Sequence, residues 1–201
     1  MSGRTWRSTT QAGCGLRSIE GGNVQLPATG SPAVAEPIFE AMERALRLRH
    51  PTRKFDVPLE QVFSKVVRRM RFYRLPTLLD GAWAVAAYGY TRSTEDIDFL
   101  IPDTDTARRL LLFSMHDCEA KQVSTRPKTA KGPTGLRFEV AGWPFAFQQD
   151  PQFKPLDGRA RAAQVGGEGV RVVAPKDLRK RKQARAAHHD LDDVKRIGSV
   201  E

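Results

Sequence analysis

The stretch that most constrains this chain runs from Gly81 to Phe99. A glycine leads into Ala82-Trp83-Ala84-Val85-Ala86-Ala87, then Tyr88-Gly89-Tyr90-Thr91-Arg92-Ser93-Thr94, then Glu95-Asp96-Ile97-Asp98-Phe99. The pattern predicts an extended segment over 77–80, a helix over 82–88 and a strand from Asp96 to Ile101 that ends at Pro102. In a strand, residues two apart point to the same side, so Asp96 and Asp98 project together while Ile97 and Phe99 enter the core. Two carboxylates then share one small volume and repel each other unless a cation neutralises them. Mg²⁺, or Mn²⁺ in its place, typically takes one or two carboxylates together with phosphate oxygens and waters. Asp96 and Asp98 are therefore the candidate metal ligands and the candidate catalytic pair. Gly81 and Ala82 sit between strand and helix, where small side chains and free backbone N–H groups let a triphosphate approach. Arg92 and Thr94 add candidate phosphate contacts. An acid-apolar-acid triplet alone more often marks a half-exposed strand, and it is the composite with the glycine turn and helix that gives it weight.

The rest of the chain bounds the context. Its 201 residues suit one domain with appendages. Hydrophobic residues at 40% and charged residues at 28% fit a soluble globular protein, and no apolar run nears the roughly 20 residues of a membrane span. With only Cys14 and Cys118 present, a disulfide framework or four-ligand zinc site has no support, and a cytoplasmic location is expected. The net charge of +10 favours polyanionic partners, nucleic acid first and an acidic membrane surface second. Residues 41–75 hold ten Lys or Arg against three acids, and 176–185 hold six against one.

Residues 1–37 are rich in Gly, Ser, Thr and Pro and lack apolar periodicity, which predicts a disordered tail; a transit peptide has a similar composition. A basic helical extension is expected over 38–74. Its first helix carries Ile38, Phe39, Met42, Ala45 and Leu46 on one face and breaks at His50-Pro51. Its second is capped by Asp56, has Pro58 in its first turn and buries Leu59, Val62, Phe63, Val66, Val67 and Met70. The opposite face, with Lys65, Arg68, Arg69 and Arg71, reads as a solvated surface ahead of an RNA track. Residues 75–201 form the main domain. Asp103 or Thr104 caps a helix through Met115, strands span 134–140 and 143–149 around Gly142, a short helix lies near Arg159, a strand covers 170–173, and Pro175 opens the last helical region. This order predicts an α/β (α+β) fold with a mixed sheet covered by helices. Trp83 and Trp143 read as core aromatics, His50 and His116 as loop or helix-end residues. His188 and His189 do not share a helix face and make a poor metal pair.

The composite of Gly81, the helix, Tyr88, Gly89, Arg92, Thr94, Asp96, Ile97 and Asp98 resembles the nucleotidyltransferase superfamily of the DNA polymerase beta type, and is most similar to its abortive-infection toxin branch. The resemblance is strong over Gly81 to Pro102 and fainter from Trp143 to Ile197. It implies the nucleotidyltransferase fold, a nucleoside triphosphate substrate and transfer of a nucleoside monophosphate to a hydroxyl, on RNA such as tRNA or on protein, with an antitoxin as a further partner. It also implies a role for Lys182 at a phosphate, and for Asp190, with Asp193 nearby, as a base or orienting partner. Two departures stand out. Ala82 replaces the usual Gly or Ser, and Ala146 falls where a third carboxylate is expected, with Glu139 or Asp150 as stand-ins. Of these Glu139 is preferred, on a strand face shared with Arg137, for which serving as an exposed partner is its ordinary structural role. A module that binds nucleotide or RNA without transfer is therefore the alternative. An antibiotic-modifying enzyme is a third reading, disfavoured by the basic charge.

Overall fold

The computed structural model describes residues 35–92, 94–126, 134–185 and 188–197. The expected tail therefore lies almost entirely outside the described residues, as do the side chains of Ile38, His188 and His189. The chain opens with two helices, α1 (Ala35–Arg49) and α2 (Leu59–Phe72), and continues through β1 (Leu78–Leu79), α3 (Gly81–Ala87), β2 (Ile97–Pro102) and α4 (Asp105–Asp117). There follow β3 (Lys121–Arg126), β4 (Gly135–Val140), β5 (Trp143–Asp150), α5 (Phe153–Arg159), β6 (Arg161–Val165), β7 (Glu168–Val172), α6 (Pro175–Arg185) and α7 (His188–Ile197). The strands form one seven-stranded mixed sheet in the order β3-β4-β5-β2-β1-β7-β6. The β2–β5 and β1–β7 pairs are parallel and the remainder antiparallel. No described helix is long and apolar enough to cross a membrane.

Period-two alternation divides the central strands between two faces. Ile97, Phe99 and Ile101 of β2, Phe145 and Phe147 of β5, and Leu136, Phe138 and Val140 of β4 are all buried. Aromatic rings carry this core outward into the helices: Phe138 meets Phe147 edge-on, Phe147 stacks on Phe99, and Phe99 stacks on Phe63 of α2. Phe63 in turn stacks on Trp83 of α3, and Phe39 of α1 packs against both. The apolar faces of α1 and α2 thus share one core with the sheet. Trp143 is also a core ring, stacked on Phe55 with its indole N–H donating to the Val57 carbonyl at 2.8 Å.

Local details refine the sequence reading. Thr104 caps α4, its hydroxyl accepting from the Ala107 N–H at 3.1 Å. Asp56 does not cap α2: the helix begins after Pro58, and the Leu59 N–H donates instead to Glu43 of α1 at 3.2 Å. A glutamate from the neighbouring helix thus satisfies one of the orphan donors that helix starts leave. Two strands escape the sequence pattern, β3 and β6. Both are sheet edges, paired on one side only and mostly exposed, so neither shows the apolar alternation that marks an inner strand.

Candidate active site

The polar face of β2 forms the floor of a cavity of about 640 Å³. Asp96 and Asp98 both line it, together with Asp80, Gly81, Arg92, Thr94, Arg137 and Ala146. Gly81 fixes the local geometry. Its φ is +65°, in the left-handed region, and a Cβ there would stand 2.0 Å from Oδ2 of Asp98. Only glycine lets the strand-to-helix turn lie directly against that carboxylate. The Asp80 N–H donates to the Asp98 carbonyl at 3.0 Å and ties β1 to β2 at this point. Thr94 is buried, and its hydroxyl donates to the Asp96 carbonyl at 2.9 Å, so it sets the entry of β2. His50 reaches from the end of α1 to the Glu95 carbonyl at 2.8 Å, at the same entry.

The floor is electrostatically loaded. Burial, then the neighbouring Asp96 and Asp80 carboxylates, push the Asp98 pKa well above the usual carboxylate range, while Arg185 and Lys182 pull it down. Asp80, which the sequence reading passed over, is buried and pairs through Oδ2 with Arg181 at 3.1 Å. Its Oδ1 is buried without a hydrogen-bond partner. Arg181 continues to Asp150 at 2.5 Å. A floor with clustered acids and an orphaned carboxylate oxygen favours a cation. Among the described residues no three His, Cys, Asp or Glu side chains converge as a ready-made metal site. Two carboxylates fit a Mg²⁺ or Mn²⁺ that brings its other oxygens from phosphate and water.

The wall over this floor comes from α6 and α7. Lys182 is fully buried (0% exposed) and its ammonium donates to Asp193 at 2.7 Å and Asp190 at 3.2 Å. Asp193 also takes Arg92 at 2.8 Å, and Asp190 faces Arg185 at 3.5 Å. Lys182 thus clamps two acids of α7 beside the cavity. Arg92 and Asp190 line the cavity from within the same network. Ala82 is buried at the start of α3.

The third-carboxylate position is also plain. Ala146 of β5 is the direct register partner of Asp98, on the same face of the sheet. Glu139 pairs with Arg53 at 3.2 Å, rather than with Arg137 as its strand face suggested, and Asp150 is committed to Arg181. Neither is among the described residues lining the cavity. Arg137 crosses instead to Asp96, 3.2 Å from its Oδ2.

The basic faces are less open than their charge counts suggest. On α2, Arg68 and Arg71 both pair with Glu168, Arg69 with Asp117 and Lys65 with Glu119. On α6, Arg181 and Lys182 turn inward.

The sequence matches no protein-family model and no curated protein. Its structure is similar to that of the antibiotic-resistance factor ANT(2'')-Ia in solution, with a TM-score of 0.53 and 15% identity over 70% of this chain and 82% of that one. A crystal structure of ANT(2'')-Ia in complex with adenylyl-2''-tobramycin gives 0.50 and 14% over 71% and 89%. The lincosamide antibiotic adenylyltransferase LnuA, lincomycin-bound, gives 0.51 and 10% over 70% and 97%. At these identities the likeness is one of architecture, and the seven-stranded mixed sheet with its covering helices is the nucleotidyltransferase fold.

Proposed function

We propose that the cavity binds a nucleoside triphosphate together with Mg²⁺ or Mn²⁺, and that the chain transfers the nucleoside monophosphate to a hydroxyl with release of pyrophosphate. The observation that carries this reading is the placement of Asp96 and Asp98 side by side on the floor of a cavity bordered by Gly81. Asp96 and Asp98 would hold the cation, which when bound offsets phosphate charge and polarises the reacting oxygens. The chain's own groups do the rest. Gly81 seats Asp98, Thr94 and His50 hold the start of β2, and Arg92, Arg137 and Arg185 supply positive charge around the space for phosphates. Asp190 lines the same cavity, with Lys182 and Arg185 against its carboxylate. Held between two cations, it suits an orienting role more than a general base.

RNA, with tRNA first, is the acceptor this reading favours, supported by the net charge of +10. A protein hydroxyl comes next, and a small antibiotic, the molecule named for ANT(2'')-Ia and LnuA, is the third class. A toxin role with an antitoxin partner belongs to the same reading and rests on the likeness of the Gly81–Pro102 segment. The test incubates each labelled triphosphate with Mg²⁺ and bulk tRNA, protein or aminoglycoside. Label is expected in RNA with the wild type and in no acceptor with D96N or D98N. Transfer that survives both substitutions would remove Asp96 and Asp98 from the chemistry.

One observation favours a second reading, a nucleotide-binding module without transfer. Ala146 stands beside Asp98 where an acid would be placed to take the acceptor's proton. Cation-dependent triphosphate binding with no label in any acceptor is the result that would select it.

A further inference from the structure

The three inner strands on one side of the site place a charge pattern in a single row. Arg137 of β4 is the register partner of Ala146 of β5, and Ala146 is the register partner of Asp98 of β2. All three share one face of the sheet, and adjacent strands lie about 4.8 Å apart. An arginine extended across one strand spans that gap only where the intervening side chain is small, and Ala146 offers a single methyl group. The guanidinium ends 3.2 Å from Oδ2 of Asp96, two residues before Asp98. An acid at position 146 would lie under its path and compete for it.

The two partners differ in their surroundings. Asp96 is 13% exposed on the cavity floor, whereas the Arg137 side chain is 52% exposed along the cavity rim. A half-exposed pair is weak and exchanges readily. A triphosphate entering the cavity presents several anionic oxygens, for which a planar guanidinium is well matched.

We propose that Arg137 is a nucleotide-binding residue of this site and a resident counter-charge for Asp96: it pairs with Asp96 in the free protein and moves to the triphosphate when cation and nucleotide arrive together. This rests on the reading of the cavity as a triphosphate site. Its consequence is coupled binding. The free cation meets an Asp96 already paired, and the nucleotide without a cation meets two carboxylates that repel it, so each ligand improves the site for the other.

The test measures Mn²⁺ binding by electron paramagnetic resonance, first alone and then with an ATP analogue whose α–β bridge is methylene, which binds without reacting. In the full chain carrying R137Q, Mn²⁺ alone is expected to bind about two- to five-fold more tightly, because a weak exposed pair has been removed. The Mn²⁺-analogue complex is expected to bind about ten- to a hundred-fold more weakly, because a charge-assisted contact has gone. R137K should fall between R137Q and wild type. Unchanged affinities in R137Q, or a loss of both together, would overturn the inference, and R137K decides between the same outcomes if R137Q does not fold. D98N separates the two levels. If D98N binds the Mn²⁺-analogue complex as the wild type does, the triphosphate reading itself fails; if only D98N loses it while R137Q does not, Arg137 alone is excluded.

Discussion

Replacing Gly81 with alanine tests the geometry of the site at its tightest point. A left-handed backbone at φ +65° costs an L-residue about 1–2 kcal/mol relative to glycine. The new methyl also lands 2.0 Å from Oδ2, 2.7 Å from Cγ and 3.0 Å from Cβ of Asp98, so the carboxylate or the turn has to shift. Overpacking of that kind costs about 1–3 kcal/mol. The sum, about 2–5 kcal/mol, is a large part of the about 5–15 kcal/mol that stabilises an ordinary domain. Gly89 supplies the control. Its φ is +97°, yet nothing lies within 4 Å of an added Cβ, so G89A carries the backbone cost alone. Urea unfolding followed by tryptophan fluorescence should place G81A below G89A by about 1–3 kcal/mol, the overpacking component. Mn²⁺-nucleotide binding should be near wild type in G89A and at least about tenfold weaker in G81A, the equivalent of about 1.4 kcal/mol. Equal stability and equal binding in the two variants would show that Asp98 is not held against the turn, and the placement of the pair would need redrawing.

Other outcomes follow from particular groups. K182M should lower stability by about 3–5 kcal/mol by removing the buried cation that Asp190 and Asp193 share, and K182M combined with D190N and D193N should recover much of the loss in a thermal melt. D98N should raise stability near neutral pH by about 1 kcal/mol while abolishing cation-dependent nucleotide binding, as expected where function is held at the expense of stability. The sign follows from Asp98 having a higher pKa folded than unfolded: the folded state binds its proton more tightly, so its contribution is present at low pH and is lost as pH rises through the folded value. D98N should therefore flatten the fall of stability above the ordinary carboxylate range, and an unchanged pH profile would contradict this. Burial pushes the Cys118 thiol up to about 11, so a C14S chain should react slowly with a disulfide reagent at neutral pH and rapidly in urea.

The acidic pair and its turn were legible because their signals are local. Strand periodicity puts Asp96 and Asp98 on one side, and a glycine ahead of a run of small residues marks a close approach that the register then places against Asp98. Ala146 was reached through the resemblance alone, and the register then sets it beside Asp98 on the same face. What the sequence hid is carried by long-range pairs. Asp80 looked like an ordinary acid before a glycine because its partner, Arg181, lies 101 residues away. Arg137 and Glu139 share a strand face and invite pairing with each other, yet one reaches over Ala146 to Asp96 and the other turns to Arg53. Charge counts likewise record how many cations a segment holds and nothing of their direction, so the inward turn of Arg181 and Lys182 could not be read from the basic run on α6.

The wall that closes the cavity is assembled from distant parts of the chain. Arg92 sits early in the domain, while the acid that receives it, Asp193, lies in the last helix, and Lys182 needs that same helix to satisfy its buried charge. During synthesis the floor can therefore form well before its roof. A chain in which α7 has yet to dock holds an open and electrostatically unbalanced pocket, so the cavity is completed only when α7 packs against α6.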